Sequence, residues 1–188
     1  MIFYATKGTI QRFKLPVISE LEPEIQTWIQ KERDVKIFEW GCKLFYLDGR
    51  KCLLVMNYET KLPIFVFDIK MKDRPYIGNA VANYLFDLYK DNKEMTKALE
   101  MYFEASSFIA FDKITNRSII SSMNRMQESF ITTGYVWDFL SDGILHAREL
   151  NRKASEYLSR RKVDGKEEWF IPYKDFEEKL KPILKTKR

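Results

Sequence analysis

The sequence predicts an α+β fold, an antiparallel sheet built on a three-strand meander with further strands or hairpins, covered by several α-helices. Three observations point there. Between Lys36 and Lys70 lie three β-rich runs, roughly 36–47, 51–58 and 63–69, divided by Asp48-Gly49 and by a polar turn beginning at Asn57. After them the apolar residues change to helical spacing. Both faces of the first hairpin are apolar, with Phe45, Leu47, Cys52 and Leu54 on one side and Trp40, Leu44, Leu53 and Val55 on the other. Such a sheet needs cover on both sides.

Element by element, the N-terminus reads two ways. The alternation Ile2/Tyr4/Thr6 and Thr9/Gln11/Phe13 about Lys7-Gly8 favours a β-hairpin, because glycine supplies the positive φ of a tight turn. The alternative is a first strand followed by one short helix over Lys7–Lys14. Residues 15–34 hold two prolines and many acids, with a short helix over Glu24–Glu32 carrying Ile25, Trp28 and Ile29. Beyond the meander, Ile77, Ala80, Val81, Tyr84, Leu85 and Leu88 form one buried helix stripe. Met95, Ala98, Leu99, Tyr102 and Phe103 form a second after a break at Asp91-Asn92. Ser107–Phe111 reads as a strand or core segment. Thr115 is placed as the cap of a third helix bearing Ile119, Ile120, Met123 and Phe130 and ending near Gly134. A fourth, after Asp142-Gly143, carries Ala147, Leu150, Ala154 and Leu158. Asp164-Gly165 is the turn of a hairpin between Ser159–Val163 and Lys166–Ile171, and the closing helix holds Phe176 and Leu180, kinked or frayed by Pro182.

A length of 188 residues suits one domain over 1–188, with 148–188 as a basic hairpin-helix portion. That last portion holds 13 Lys/Arg against 8 Asp/Glu, which accounts for the whole net charge of +5. A basic end of this kind is compatible with a polyanionic partner. The apolar runs Cys52–Met56 and Pro63–Phe67 are far shorter than the roughly 18 residues of a membrane span, and MIFYATKG has no signal-peptide pattern. The expected home is the cytoplasm of a bacterial cell. With a two-residue loop at Asp48-Gly49, Cys52 lies opposite Phe45 and Cys42 opposite Val55, on opposite faces, so the two thiols do not bridge.

Candidate chemistry is sparse. His146 is the one side chain whose ordinary pKa suits acid/base work near neutrality. It is the candidate catalytic residue, set against a structural histidine bonded to a carbonyl. Glu39, Asp68, Asp138 and Asp142 are the carboxylates that a metal-dependent hydrolase would have to bring together. No spacing matches a metal motif, and no cofactor is expected. Arg160, Arg161 and Lys162 form a phosphate-binding candidate. Their bland reading is cross-strand pairing of Lys162 with Glu167 and Arg161 with Glu168, with Arg160 stacked on Trp169. Tyr4, Lys7, Arg12 and Lys14, interleaved with Phe3 and Phe13, form the second RNA- or partner-binding candidate, since stacking and charge act together on RNA.

The segments Trp40-Gly41, Leu44, Asp48–Cys52 and Asn57-Tyr58-Glu59-Thr60, with Thr115–Asn124 as a second signature, resemble an uncharacterised family of bacteria, phages and mobile elements. The family usually carries glycine where Ser121 stands. The resemblance covers roughly residues 1–145. In size and character the chain is also similar to streptococcal-type anti-CRISPR proteins. That similarity implies an inhibitor of a type II CRISPR RNA-guided nuclease acting by truncation of, or interference with, its guide RNA. The nuclease and its guide RNA would be the partners, with Tyr4, Lys7, Arg12 and Lys14 in contact. Two further readings stay open: a non-enzymatic protein-binding module of a phage or plasmid using the same sheet, and a stand-alone nuclease dependent on a divalent metal.

Overall fold

A computed structural model describes residues 1–30, 35–106 and 108–182, and of residue 163 the backbone alone. The ends of two expected segments, Lys31-Glu32 of the early helix and Ser107 of the core segment, lie outside the described residues. The fold is α+β, as expected. Its main sheet is mixed, not purely antiparallel.

Strand β1 (Ile2–Ala5) lies inside that sheet, parallel both to β2 (Glu39–Leu47) and to β5 (Ala110–Lys113). The antiparallel meander continues from β2 through β3 (Arg50–Asn57) to β4 (Pro63–Val66), giving the order β4-β3-β2-β1-β5. The pairing Cys42↔Val55 and Phe45↔Cys52 is the one the Asp48-Gly49 turn implies. Those turn residues have φ of 48° and 70°, the left-handed pair that a two-residue hairpin loop demands. Both cysteines are free and buried, and burial pushes the Cys42 thiol up to about 12.

The N-terminal hairpin does not form. Residues Lys7–Phe13 are helix α1, capped by Thr6, whose Oγ1 accepts the Thr9 N–H at 3.4 Å, and closed by Lys14 at φ 48°. The reason is topological. Both hydrogen-bonding edges of β1 are taken by parallel partners, so no antiparallel neighbour can follow it directly, and the chain must cross over through helix before returning as β2. Thr9 and Phe13, one helical turn apart, are both buried, and Thr9 Oγ1 accepts the Leu44 N–H at 2.8 Å. Helix α2 (Pro23–Gln30), with Ile29 buried and Trp28 67% exposed, and a 3-10 turn over Lys36–Phe38 make up the rest of the described crossover together with the turn Ile18–Glu20.

One face of the sheet (Phe3, Trp40, Leu53, Val55) packs on α3 (Ile77–Leu88), α4 (Lys93–Ala105) and α7 (Pro172–Leu180) through Val81, Leu85, Leu99, Tyr102 and Phe176. The other (Phe45, Leu54, Met56, Phe65) packs on α5 (Arg117–Gln127) and α6 (Ala147–Ser155). The α5 cap is Asn116, not Thr115: its Oδ1 accepts from the N–H groups of Ser118 and Ile119 at 3.0 and 3.1 Å. Helix α6 ends at Ser155, so Leu158 leaves the expected stripe and is 51% exposed. Asn151 of α6 bonds both the N–H and the C=O of Phe65, at 2.6 and 2.8 Å, and so closes an otherwise open sheet edge. Two small hairpins stand apart from the sheet. One is β6 (Leu140–Ser141) with β7 (Ile144–Leu145); the other is β8 (Ser159–Val163) with β9 (Lys166–Phe170).

Helix α5 sits close to the sheet because of Gly41. A Cβ there would lie 2.7 Å from Ile119 Cγ2, a methyl on a β-branched helical side chain that has little room to turn away. Gly41→Val should therefore push α5 off β2. The expected cost is about 3 kcal/mol, seen as a Tm lower by roughly 6–12 °C. A Tm within 2 °C or so of the parent would show that the helix tolerates the displacement.

Candidate anion-binding cleft

A cavity of about 830 Å³ opens between the Asn57–Lys61 turn, helix α5 and the β8–β9 hairpin. Each wall is built by a different local device. The turn is held by Asn57, which is fully buried. Its Nδ2 donates to the carbonyls of Ile37 and Glu39 at 2.9 and 3.4 Å, and its Oδ1 accepts from Glu59 N, Thr60 N and Thr60 Oγ1 at 3.0–3.1 Å. This clamp leaves Tyr58, Glu59 and Lys61 facing the cleft. The α5 wall presents Ser118, Ser121, Ser122 and Arg125, the i, i+3, i+4, i+7 set that shares one helix face. The hairpin wall presents Arg160, Arg161 and Lys162 with Glu167 and Glu168.

Charge in the cleft is strongly unbalanced. Seven cations line it against three glutamates. Lys179 pairs with Glu59 at 2.9 Å, Arg160 with Glu167 at 2.9 Å, and Arg161 with Glu168 at 2.9 Å and with Asp175 at 2.6 Å. Among the described residues, Lys36, Lys61, Arg125 and Lys162 have no carboxylate partner. Lys61 is only 7% exposed, with positive φ, and its Nζ donates to the Arg160 carbonyl at 2.5 Å. Burial, and then the nearby charges of Arg125, Arg160 and Arg161, hold its ammonium below the usual lysine range. A site that penalises its own positive charge is one that an anion relieves.

The hairpin register is as the sequence implies: Arg160 opposite Trp169, Arg161 opposite Glu168, Lys162 opposite Glu167. The ion pairs follow it only in part. Glu167 turns diagonally to Arg160, which frees Lys162, while the Arg160 guanidinium lies 5.9 Å from the Trp169 ring centre. Arg161 is a brace between hairpin and α7, stacked 4.5 Å over Phe170 and tied to the buried Asp175. Burial works against its charge, yet Glu168 and Asp175 hold its pKa above the ordinary arginine value.

The N-terminal candidates lie elsewhere. Lys7, Arg12 and Lys14 are exposed on or just beyond α1, the Lys14 carbonyl accepting from Arg74 Nη1 at 2.9 Å, and none of them lines the cleft. Tyr4 is half-buried, its Oη 3.0 Å from Glu39 Oε1 and its ring 5.0 Å from that of Tyr58, so it supports a cleft residue from beneath. His146 is exposed at the start of α6, with Nε2 2.6 Å from Ser141 Oγ, and its backbone N–H donates to Phe139 O at 2.8 Å. It lines neither the cleft nor the grooves beside Asp87 and Trp169. The expected carboxylates stay apart: Asp68 pairs with Arg50 at 3.8 Å and Asp142 sits in the β6–β7 turn. Among the described residues no three His, Cys, Asp or Glu side chains converge as a metal site would require, and no helix is long and apolar enough to cross a membrane.

Sequence reading missed Lys36, Lys61, Ser122 and Arg125. The α5 set was discoverable, because its Ser-x-x-Ser-Ser-x-x-Arg spacing is the polar complement of the Ile119/Met123/Met126 stripe. Lys61 gives no such signal, since a lysine between Thr60 and Leu62 reads as exposed turn. The cleft also joins the two segments that carry the family resemblance, the turn after Asn57 and the stretch after Thr115. No curated protein matches the chain. A family model described as a domain of unknown function, DUF6933, matches residues 2–175, and with almost the whole chain inside that match the protein belongs to the DUF6933 family.

Proposed function

We propose that the protein binds single-stranded RNA, tracking its phosphates through the cationic cleft. The observation that carries this reading is the convergence of four cations without carboxylate partners among the described residues, from the turn before β2, the Asn57–Lys61 turn, α5 and β8, on one cavity of about 830 Å³. Trp169 supports the single-stranded form of the proposal. It is 56% exposed beside Arg160, on a second groove of about 560 Å³ with Tyr157 and Leu158, where an unpaired base can stack. The narrower partner, the guide RNA of a type II CRISPR nuclease, is supported by the resemblance alone. The protein-binding reading would need a surface other than the sheet, whose two faces are both packed in the core.

Fluorescence anisotropy with a labelled single-stranded RNA tests the proposal. If all four free cations meet phosphates, log Kobs should fall against log salt with a slope of about −3. Replacing Lys7, Arg12 and Lys14 together should leave affinity unchanged, because they lie outside the cleft. A folded protein that fails to bind RNA at low salt sinks the reading. A gel of labelled guide RNA, with and without the nuclease, then separates the narrower possibilities. Intact RNA withheld from the nuclease marks a binder; RNA shortened only when both proteins are present marks truncation within the complex.

A further inference from the structure

Just beneath the cleft floor, α5 holds a polar atom with no hydrogen-bond partner. Ser122 is 7% exposed, its Oγ is buried, and no hydrogen-bond partner is present, although the side chain lines the cavity. A serine inside a helix ordinarily returns its proton to the carbonyl four residues back. Ser155 of α6 uses a close variant of that escape, bonding Arg152 O at 2.7 Å. Ser122 does neither. An unmet buried hydroxyl is uncommon in a folded protein and calls for a specific cause.

Its surroundings say what would satisfy it. Arg125 lies one turn along the same helix face, Ser118 and Ser121 flank it at the rim, and Lys61 faces it from the turn. Guanidinium and ammonium only donate and a hydroxyl is able to donate, so one acceptor carrying negative charge satisfies all three. We propose that this floor is a built seat for one phosphoryl oxyanion. With a turn about its Cα–Cβ bond that brings the covered hydroxyl to the cavity, Ser122 Oγ–H donates to one oxygen, the Arg125 fork and Lys61 Nζ neutralise the others, and Ser118 and Ser121 close the rim. The inference rests on the RNA reading of the cleft and sharpens it from a diffuse patch to a fixed register point. An anion there would also relieve the burial and like-charge crowding that lower the Lys61 pKa. The cavity is several times larger than a phosphate, which leaves room for the sugar attached to it.

Inorganic phosphate, titrated into the full chain at constant ionic strength set with chloride, is the first probe. Wild type should show a saturable rise in Tm, and Ser122→Ala should lose it. Without phosphate, Ser122→Ala should keep or raise the parent Tm, because it removes an unmet polar group, whereas loss of a merely structural serine would lower it. A clear fall in that Tm, or an unchanged phosphate response, overturns the seat. With RNA, Ser122→Ala should weaken binding about tenfold. If a 5′-phosphorylated oligonucleotide binds more tightly than its 5′-hydroxyl counterpart, and only in wild type, the occupant is a terminal phosphate. Equal affinities, both weakened by the substitution, identify an internal phosphodiester. RNA binding with no phosphate response would retain the cleft reading and remove the seat. A phosphate response without RNA binding would do the reverse.

Discussion

Arg125→Glu combined with Lys162→Glu should abolish RNA binding at moderate salt while leaving the fold untouched. The two residues face the cleft from opposite walls, α5 and β8, and both are exposed with no carboxylate partner among the described residues. A unit charge about 4 Å from a phosphate contributes on the order of 1 kcal/mol in water, so each reversal changes the balance by about 2 kcal/mol. Two reversals together amount to about 4 kcal/mol, or roughly 10³-fold in Kd. The salt slope should flatten at the same time, from about −3 to about −1.5, because only Lys36 and Lys61 remain to displace counterions. Stability should move by no more than about 0.5 kcal/mol, as is usual for exposed positions. Anisotropy and thermal melting on one preparation check both halves. Tight, salt-sensitive binding by the double variant would move the interface away from this cleft.

The same pair of residues shows which parts of the molecule were legible in the sequence. Lys162 was marked because it sits in a visible basic run, and its role is decided by where Glu167 turns. Arg125 was invisible as a site residue because nothing near it in sequence carries charge of its own kind. It becomes a cleft residue only when Gly41 lets α5 approach the sheet. The meander, its Asp-Gly turn and the stripes of α3 and α4 were readable, because each is fixed by local period and turn chemistry. The parallel placement of β1 was not, because it depends on β2 and β5 pairing with both its edges across sequence separations of 37 (Ile2↔Glu39) and 108 (Ile2↔Ala110) residues. That non-local fact also converted the favoured hairpin into α1. The local signs were present in Thr6 as a cap and in Thr9/Phe13 one turn apart, but the alternation of Ile2, Tyr4 and Thr6 outweighed them.

Asn57 is where core and cleft meet, and its removal should be the most damaging single change to stability. Asn57→Ala strands the Glu59 and Thr60 N–H groups, which the amide oxygen now satisfies at 3.0–3.1 Å, and takes one of two donors from each of the Ile37 and Glu39 carbonyls, which keep Tyr102 Oη and Tyr58 N. Unmet buried groups of this kind cost about 1–3 kcal/mol each, and with partial relaxation the total should be about 3–5 kcal/mol. A Tm lower by roughly 10–15 °C is expected. RNA affinity should fall as well, because the turn that aims Tyr58 and Lys61 loses its clamp. Asn57→Asp gives a sharper test. Ionised, the new carboxylate would face the Ile37 and Glu39 carbonyls without a proton to donate; protonated, it can donate to one of them and still accept from the turn. Burial therefore raises its folded pKa above the unfolded value of about 4. The stability contributed by the protonated form is fully present below that unfolded value and is lost as pH rises through the folded one. Relative to the parent, Asn57→Asp should be nearly intact at low pH and strongly destabilised at neutrality. Urea melts of both proteins across that range measure the difference, and a pH-independent gap between them would show that the amide does not donate as described.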